Sequence, residues 1–307
     1  MTDHPDVRDV PVPTVEWVTL AVAGATYAVW MLGTTWLAGL WLPLGIVATG
    51  LAIAQFSSLQ HEALHGHPFR SRLANEALVF PALTVCVPYG RFRDTHLQHH
   101  HDPNLTDPYD DPEANYMDPA VWAWLPRWRQ AVLNANNTLL GRVVLGPWVS
   151  NVMWVAAEWR LIRAHTPGVL RDWGLNALGL VPVLGWLVWV GFPVWAYLLA
   201  AWIGHGLLKI RTFLEHRAHE QFRARTVVIE DRGPLSWLFL NNNYHVVHHM
   251  HPGVPWYRLP ALYARNRDHY LRRNDGYRYA SYAEVFRRYL LTRKDPVPHP
   301  VWPVKKS

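Results

Sequence analysis

The chain has 307 residues, half of them apolar and 18 of them tryptophan, with one cysteine and a formal net charge of +6. A single cysteine, Cys86, excludes a disulfide framework and any cysteine-based zinc or iron–sulfur site, so a metal site here must be built from histidine and carboxylate. The basic residues lie beside long apolar runs, where such an excess belongs to the cytoplasmic flanks of membrane spans, and no nucleic-acid partner is expected.

Residues 1–13 are acidic and proline-rich. They lack the basic region and small-residue cleavage site of a signal peptide, so the first apolar segment is expected to stay in the mature protein. Residues 17–60 are almost continuously apolar, with Gly33-Thr34-Thr35 as the polar break. That length is close to two spans of about 20 residues each, predicting a transmembrane hairpin with spans at 15–32 and 36–60. Residues 173–210 repeat the design around Gly191-Phe192-Pro193, predicting spans at 173–191 and 193–212, with His205 a packed residue inside the last. Arg70, Arg72, Arg91 and Arg93 follow the first hairpin; Lys209, Arg211, Arg217, Arg223 and Arg225 follow the second. This asymmetry puts both termini and the segments after each hairpin in the cytoplasm.

Between the hairpins, residues 77–89 are apolar but too short to cross, which predicts a buried or re-entrant piece. Residues 139–157 have the length of a span but carry Arg142, Asn151 and Pro147, so an interfacial helix is expected. The tail from Leu259 is soluble and basic, with amphipathic patterns over 261–273 and 282–291. The expected fold is an all-α membrane protein of one domain: four transmembrane helices in two hairpins, and a cytoplasmic helical cap formed by 61–172 and 213–307.

Thirteen of the 18 histidines fall in four short segments, each following an apolar one. They are His61-Glu62-Ala63-Leu64-His65-Gly66-His67, then His96-Leu97-Gln98-His99-His100-His101, then His216-Arg217-Ala218-His219, then His245-Val246-Val247-His248-His249-Met250-His251. HxxHH occurs twice, and on a helix positions i, i+3 and i+4 share one face, so each copy aims three imidazoles one way. One metal takes four to six ligands, so eight or more imidazoles imply two metals, although imidazole suits iron, zinc, copper and nickel alike. Glu62, Asp94, Asp102, Glu215 and Asn242 flank these segments and could hold the second ring nitrogens. His67, His101, His219 and His251 fall off the shared faces, while His4, His165, His269 and His299 are expected at the surface. His61-Glu62-x-x-His65 also matches the HExxH zinc-protease signature, with Glu62 as general base. That reading leaves three clusters unexplained. A metal-handling protein would need polar ligands at the membrane midplane, which these spans do not supply.

The order HxxxH, HxxHH, isolated histidine and HxxHH resembles the membrane fatty acid desaturase superfamily over residues 51–260. The ending His248-His249-Met250-His251-Pro252-Gly253-Val254-Pro255-Trp256-Tyr257-Arg258-Leu259-Pro260 is similar to the third box of bacterial acyl desaturases, and carotenoid ketolases carry a related ending. The resemblance implies two iron ions held by His61, His65, His96, His99, His100, His216, His245, His248 and His249. It also implies O2 as co-substrate and the introduction of a double bond into a fatty acyl chain. Hydroxylation or carotenoid ketolation is the alternative within the superfamily. Those enzymes place an Asn four residues before the isolated histidine; here the position is Thr212, and His219 is the rival of His216 for the ninth place. No dinucleotide fingerprint is present, so an external ferredoxin-like carrier is expected to dock on the basic face and a lipid or acyl substrate to enter from the bilayer. The resemblance further implies a multipass protein of a bacterial inner membrane, with the metal site on the cytoplasmic side.

Overall fold

The computed structural model describes residues 13–302; the acidic N-terminal stretch and His4 lie outside the described residues. Its helices, in chain order, are α1 (Trp17–Leu32), α2 (Ala38–Leu40), α3 (Leu42–Leu64), α4 (Arg72–Leu78), α5 (Tyr89–His99), α6 (Pro119–Trp124), α7 (Arg127–Asn136), α8 (Leu139–Val144), α9 (Gly146–Arg163), α10 (Val169–Val190), α11 (Val194–Thr212), α12 (Pro234–Leu238), α13 (His245–Met250), α14 (Leu259–Arg265), α15 (Arg267–Arg273) and α16 (Tyr282–Tyr289). Two short strands, β1 (Val228–Ile229) and β2 (Arg278–Tyr279), pair in parallel. The all-helical expectation missed them because two residues carry no readable alternation. The chain divides into two compact units, an apolar one of residues 13–93 and 146–208 and a polar one of residues 94–145 and 209 onward.

Within the apolar unit, three helices among the described residues are long and apolar enough to cross a membrane: the run Trp17–Leu40, α3 and α10. The fourth expected span forms the 19-residue helix α11 but is not one of these three, because His205, Lys209 and Arg211 dilute its apolar content. The expected break at Gly33-Thr34-Thr35 is not a break. The helix widens there into a π turn over Gly33–Leu37 and continues through α2 to Leu40. The Thr34 hydroxyl donates back to the Trp30 carbonyl at 3.0 Å and that of Thr35 to Met31 at 2.7 Å, so neither needs water. The chain turns instead at Trp41, where the backbone is extended, and Pro43 starts α3. Gly191-Phe192-Pro193 does end α10: Gly191 sits at φ +71°, and the Phe192 amide caps the Leu187 carbonyl at 2.9 Å.

Backbones come close where glycines face one another's helices. A Cβ on Gly50 of α3 would lie 2.9 Å from Ile203 Cγ2 of α11, and one on Gly204 would lie 2.8 Å from the Gly50 carbonyl oxygen. Small residues at such crossings replace the hydrophobic driving force that lipid removes. The outer faces carry apolar side chains, with Val188 78% and Trp189 77% exposed, as suits helices bathed in hydrocarbon.

The predicted re-entrant piece is irregular backbone from Val79 to Pro88, with Val79, Ala82, Leu83 and Thr84 buried. Its polar groups are answered by helices. Tyr197 donates to the Leu83 carbonyl at 3.0 Å and Asn176 to Val85 at 3.0 Å, the Ala82 amide reaches Gly179 at 3.1 Å, and Tyr27 donates to Leu78, the last residue of α4, at 2.7 Å. Non-helical backbone at such depth is tolerated only when protein satisfies it. The expected single helix over 139–157 is two, α8 and α9, meeting at Leu145.

The polar unit is built around Val228, Tyr244, Val246, Val247, Leu259, Leu262, Tyr263 and Tyr270, all buried. The amphipathic tail patterns appear as α14, α15 and α16. Beside this core, Glu230 accepts from Tyr263 at 2.6 Å, Arg267 at 2.7 Å and Arg278 at 2.6 Å. Burial alone would push its carboxyl up, but these three donors outweigh it and hold the group at about 2. His299, expected at the surface, is 2% exposed: its ring bonds Thr106 Oγ1 at 3.1 Å and packs on Tyr116.

Two outcomes follow. Gly50→Leu lowers thermal stability in detergent by about 1–3 kcal/mol through overpacking, whereas Gly24→Leu, at a position with open space around it, leaves it near wild type. The Glu230 contribution is complete above the unfolded carboxyl value and lost as pH falls toward 2; unfolding of Glu230→Gln at pH 5 and pH 3 should show a weaker acid dependence than wild type.

Candidate metal centre

In the polar unit, α5 brings His96 and His99 onto one face, and His100 follows directly. From the other side comes α13, whose HVVHHM sequence turns Val246 and Val247 into the core and leaves His245, His248 and His249 together opposite. The turn before α13 is strained, with positive φ at Leu240 and Asn241. The Asn241-Asn242-Asn243 run holds it: the Asn243 amide donates to the Ile229 carbonyl at 2.7 Å, and that of Asn241 to Trp256 at 3.2 Å. His216 arrives from the segment just after α11.

These rings meet through their outer nitrogens. His99 Nε2 lies 2.8 Å from His216 Nε2, which lies 3.0 Å from His245 Nε2. With His249, the four present ligand atoms within 4.8 Å of one another. A second set is built likewise: His100 Nε2 is 3.0 Å from His96 Nε2 and 3.2 Å from His248 Nε2. In the apolar unit, His61 and His65 stack edge to face with ring centroids 4.9 Å apart.

The opposite nitrogens are held by acids and amides. His99 Nδ1–H donates to Asp111 Oδ1 at 2.7 Å, His96 Nδ1–H to Glu113 Oε1 at 2.9 Å and His245 Nδ1–H to Asn242 Oδ1 at 3.3 Å. The Asn242 amide then donates to Glu215 at 3.0 Å, and Arg211 pairs with Glu215 at 3.0 Å. An acceptor on Nδ1 fixes the tautomer with its lone pair on Nε2, the form a metal needs. Burial lowers His216, His245 and His249 well below the usual imidazole value and keeps them neutral. At His99 burial works the same way, but Glu113 and Asp111 outweigh it and raise the ring to about 9. Glu113, despite its own burial, is held below the usual carboxylate range by His99 and His96. The acids therefore favour positive charge at the point where the Nε2 atoms converge. A convergent imidazole set in which burial keeps His216, His245 and His249 neutral, and acids back His96 and His99, fits a pair of divalent transition-metal ions.

Glu62 lies 3.4 Å from His61 Nδ1, where it was expected to back a ligand ring. Other expected residues fall elsewhere. Asp94 is exposed and Thr212 half-buried, and the Asp102 side chain lies outside the described residues. His219 pairs with Asp275 at 3.4 Å and is absent from both convergent sets. His67 bonds Glu16 at 2.5 Å. Asp111 and Glu113, the acids that hold His99 and His96, escaped the sequence reading because they sit 12 and 17 residues downstream in a loop rather than beside the boxes. The run Asp107-Pro-Tyr-Asp-Asp111-Pro-Glu113 was the available signal.

A family model described as fatty acid desaturase matches residues 34–281. The chain belongs to the fatty acid desaturase family. It is 25% identical to the chloroplastic omega-6 fatty acid desaturase of Arabidopsis thaliana, over 72% of this chain and 52% of that protein. It is 26% identical to the beta-carotene ketolase of a Paracoccus species (79% and 91%) and 28% identical to a human sphingolipid delta(4)-desaturase/C4-monooxygenase (82% and 74%). The chain spans only about half the length of the plant relatives it matches. Members of this family are membrane-bound oxidoreductases that use metal to oxidise lipids.

For this desaturase-family chain, Glu113→Ala removes the acceptor of His96 Nδ1 and a carboxylate oxygen 3.9 Å from His99 Nε2, while leaving every imidazole in place. Metal affinity should fall about 10- to 100-fold, read as metal per chain against free metal by elemental analysis, with helix content unchanged by circular dichroism.

Proposed function

We propose that this chain is an O2-dependent di-iron oxidoreductase that introduces a double bond into a fatty acyl chain. The observation that carries the reading is the pair of convergent imidazole sets in the polar unit, spaced along the chain as in the family's three boxes. His99, His216, His245 and His249 would hold one iron. His96, His100 and His248 would hold the other, and the family's pattern also counts His61 and His65, at the end of α3, among the ligands. His216 rather than His219 takes the isolated place, on its 2.8 and 3.0 Å approaches to His99 and His245. When bound, the irons supply the oxidising power to remove hydrogen from an unactivated methylene. The residues of the chain do the rest. Asp111, Glu113 and Asn242 keep the lone pairs turned inward, the apolar walls exclude water, and the spans deliver an acyl tail from the bilayer.

In this reading α11 is the fourth span, the spans form two hairpins, and both termini and the metal site face the cytoplasm of a bacterial inner membrane. A small acidic electron carrier of ferredoxin type docks on the arginine-rich face. Ketolation or hydroxylation of another lipid is the second reading, favoured by one observation: the chain matches 91% of the length of the carotene ketolase. Expression in a host with both fatty acids and carotenoids, followed by lipid profiling, separates the two. A new unsaturated acyl chain supports desaturation, and an oxygenated carotenoid supports ketolation. His248→Ala should abolish either product and lower iron from about two per chain, whereas one zinc per chain would point to the HExxH protease chemistry instead.

A further inference from the structure

His216 differs from three of the other histidines in the centre, His96, His99 and His245. His96, His99 and His245 each have Nδ1 held by an acid or an amide, but His216 Nδ1 is buried and without a hydrogen-bond partner. Its ring is therefore not oriented from behind, and beyond its Nε2 contacts with His99 and His245 its aim depends on its backbone. That backbone is bridged to Thr226 and is also gripped by the C-terminal strap that follows α16. Lys294 Nζ donates to the His216 carbonyl. Two residues on, the Ala218 amide donates to the Tyr116 hydroxyl at 2.9 Å, and Tyr116 in turn donates to Asp295, the neighbour of Lys294.

The strap is anchored at both ends. The Leu140 amide donates to the Leu290 carbonyl at 3.0 Å, the Lys294 amide to Asn137 at 3.0 Å, the Met117 amide to Val297 at 2.9 Å and the His299 amide to Met117 at 2.8 Å. The Lys294 side chain is 9% exposed, and its ammonium lies 3.5 Å from Asp295 and 5.9 Å from the Tyr116 ring centroid. An ammonium this buried keeps its place only where acceptors answer it, and one of those acceptors is the carbonyl of a proposed metal ligand.

We propose that Lys294 is a positioning residue for the metal centre: its ammonium holds the His216 carbonyl and so helps to aim an imidazole whose Nδ1 has no hydrogen-bond partner. This rests on the binuclear reading above, and the test separates the two. The full-length chain in detergent is titrated with Co2+, following ions bound per chain and the visible absorption of bound cobalt, with circular dichroism as the measure of folding. Wild type should bind two cobalt ions. Lys294→Met should bind one of them at least 10-fold more weakly and change its absorption, while Lys294→Arg, which can still donate to the carbonyl, should restore both. His299→Leu loosens the strap but keeps the ammonium, and should leave titration and spectrum at wild type.

A Lys294→Met protein with wild-type titration and spectrum overturns the proposal, as does a His299→Leu protein that reproduces the Lys294→Met change. If Lys294→Met does not fold, Lys294→Arg decides: wild-type binding supports the proposal and weakened binding overturns it. A wild-type chain that binds one cobalt ion counts against the binuclear reading and leaves the Lys294 comparison intact.

Discussion

Imidazoles that face one another through Nε2 at about 3 Å are the constraint on which this structure turns. Two such nitrogens share at most one proton, and burial removes the water that would otherwise separate them. The arrangement is tolerable only with positive charge among the rings and with firm support behind them. Asp111, Glu113 and the Asn242–Glu215–Arg211 chain supply that support electrostatically. The valines of α13 supply it mechanically, since their burial leaves His245, His248 and His249 no other way to point. Much of the loop structure of the polar unit serves these contacts.

The apolar unit solves a different problem. It must hold irregular backbone between Val79 and Pro88 among helices whose outer surfaces are hydrocarbon-like, and it does so with a few hydroxyls and one amide. Tyr197 and Asn176 each give one hydrogen bond to a carbonyl of that stretch, and Tyr27 gives one to Leu78 at the end of α4, where the stretch begins. At the base of these helices, Glu158 accepts from Arg91 at 2.9 and 3.0 Å and from the Trp173 indole at 3.0 Å. These few polar contacts tie α5, α9 and α10 together, where apolar contact alone would not choose one register.

The histidine boxes were legible because helical spacing and unusual residue density survive in one dimension. So was the Gly191-Phe192-Pro193 turn, whose residues have direct backbone meaning. Gly33-Thr34-Thr35 misled because its polarity is local: both hydroxyls return to their own helix, and the glycine is there for the approach of α3, where a Cβ would lie 2.6 Å from Thr49 Oγ1. Asp111 and Glu113 were not legible, since only the folded loop brings them behind His99 and His96. His299 misled in the same way, because a polar residue near the end of a basic tail gives no sign that the tail is a strap.

The contact between Gly50 and Gly204 seals one edge of the apolar unit. With a missing side chain on each helix and main chains at van der Waals distance, the α3–α11 seam leaves no slot the width of a methylene chain. At that crossing the edge of the apolar unit is closed to any hydrocarbon chain approaching sideways.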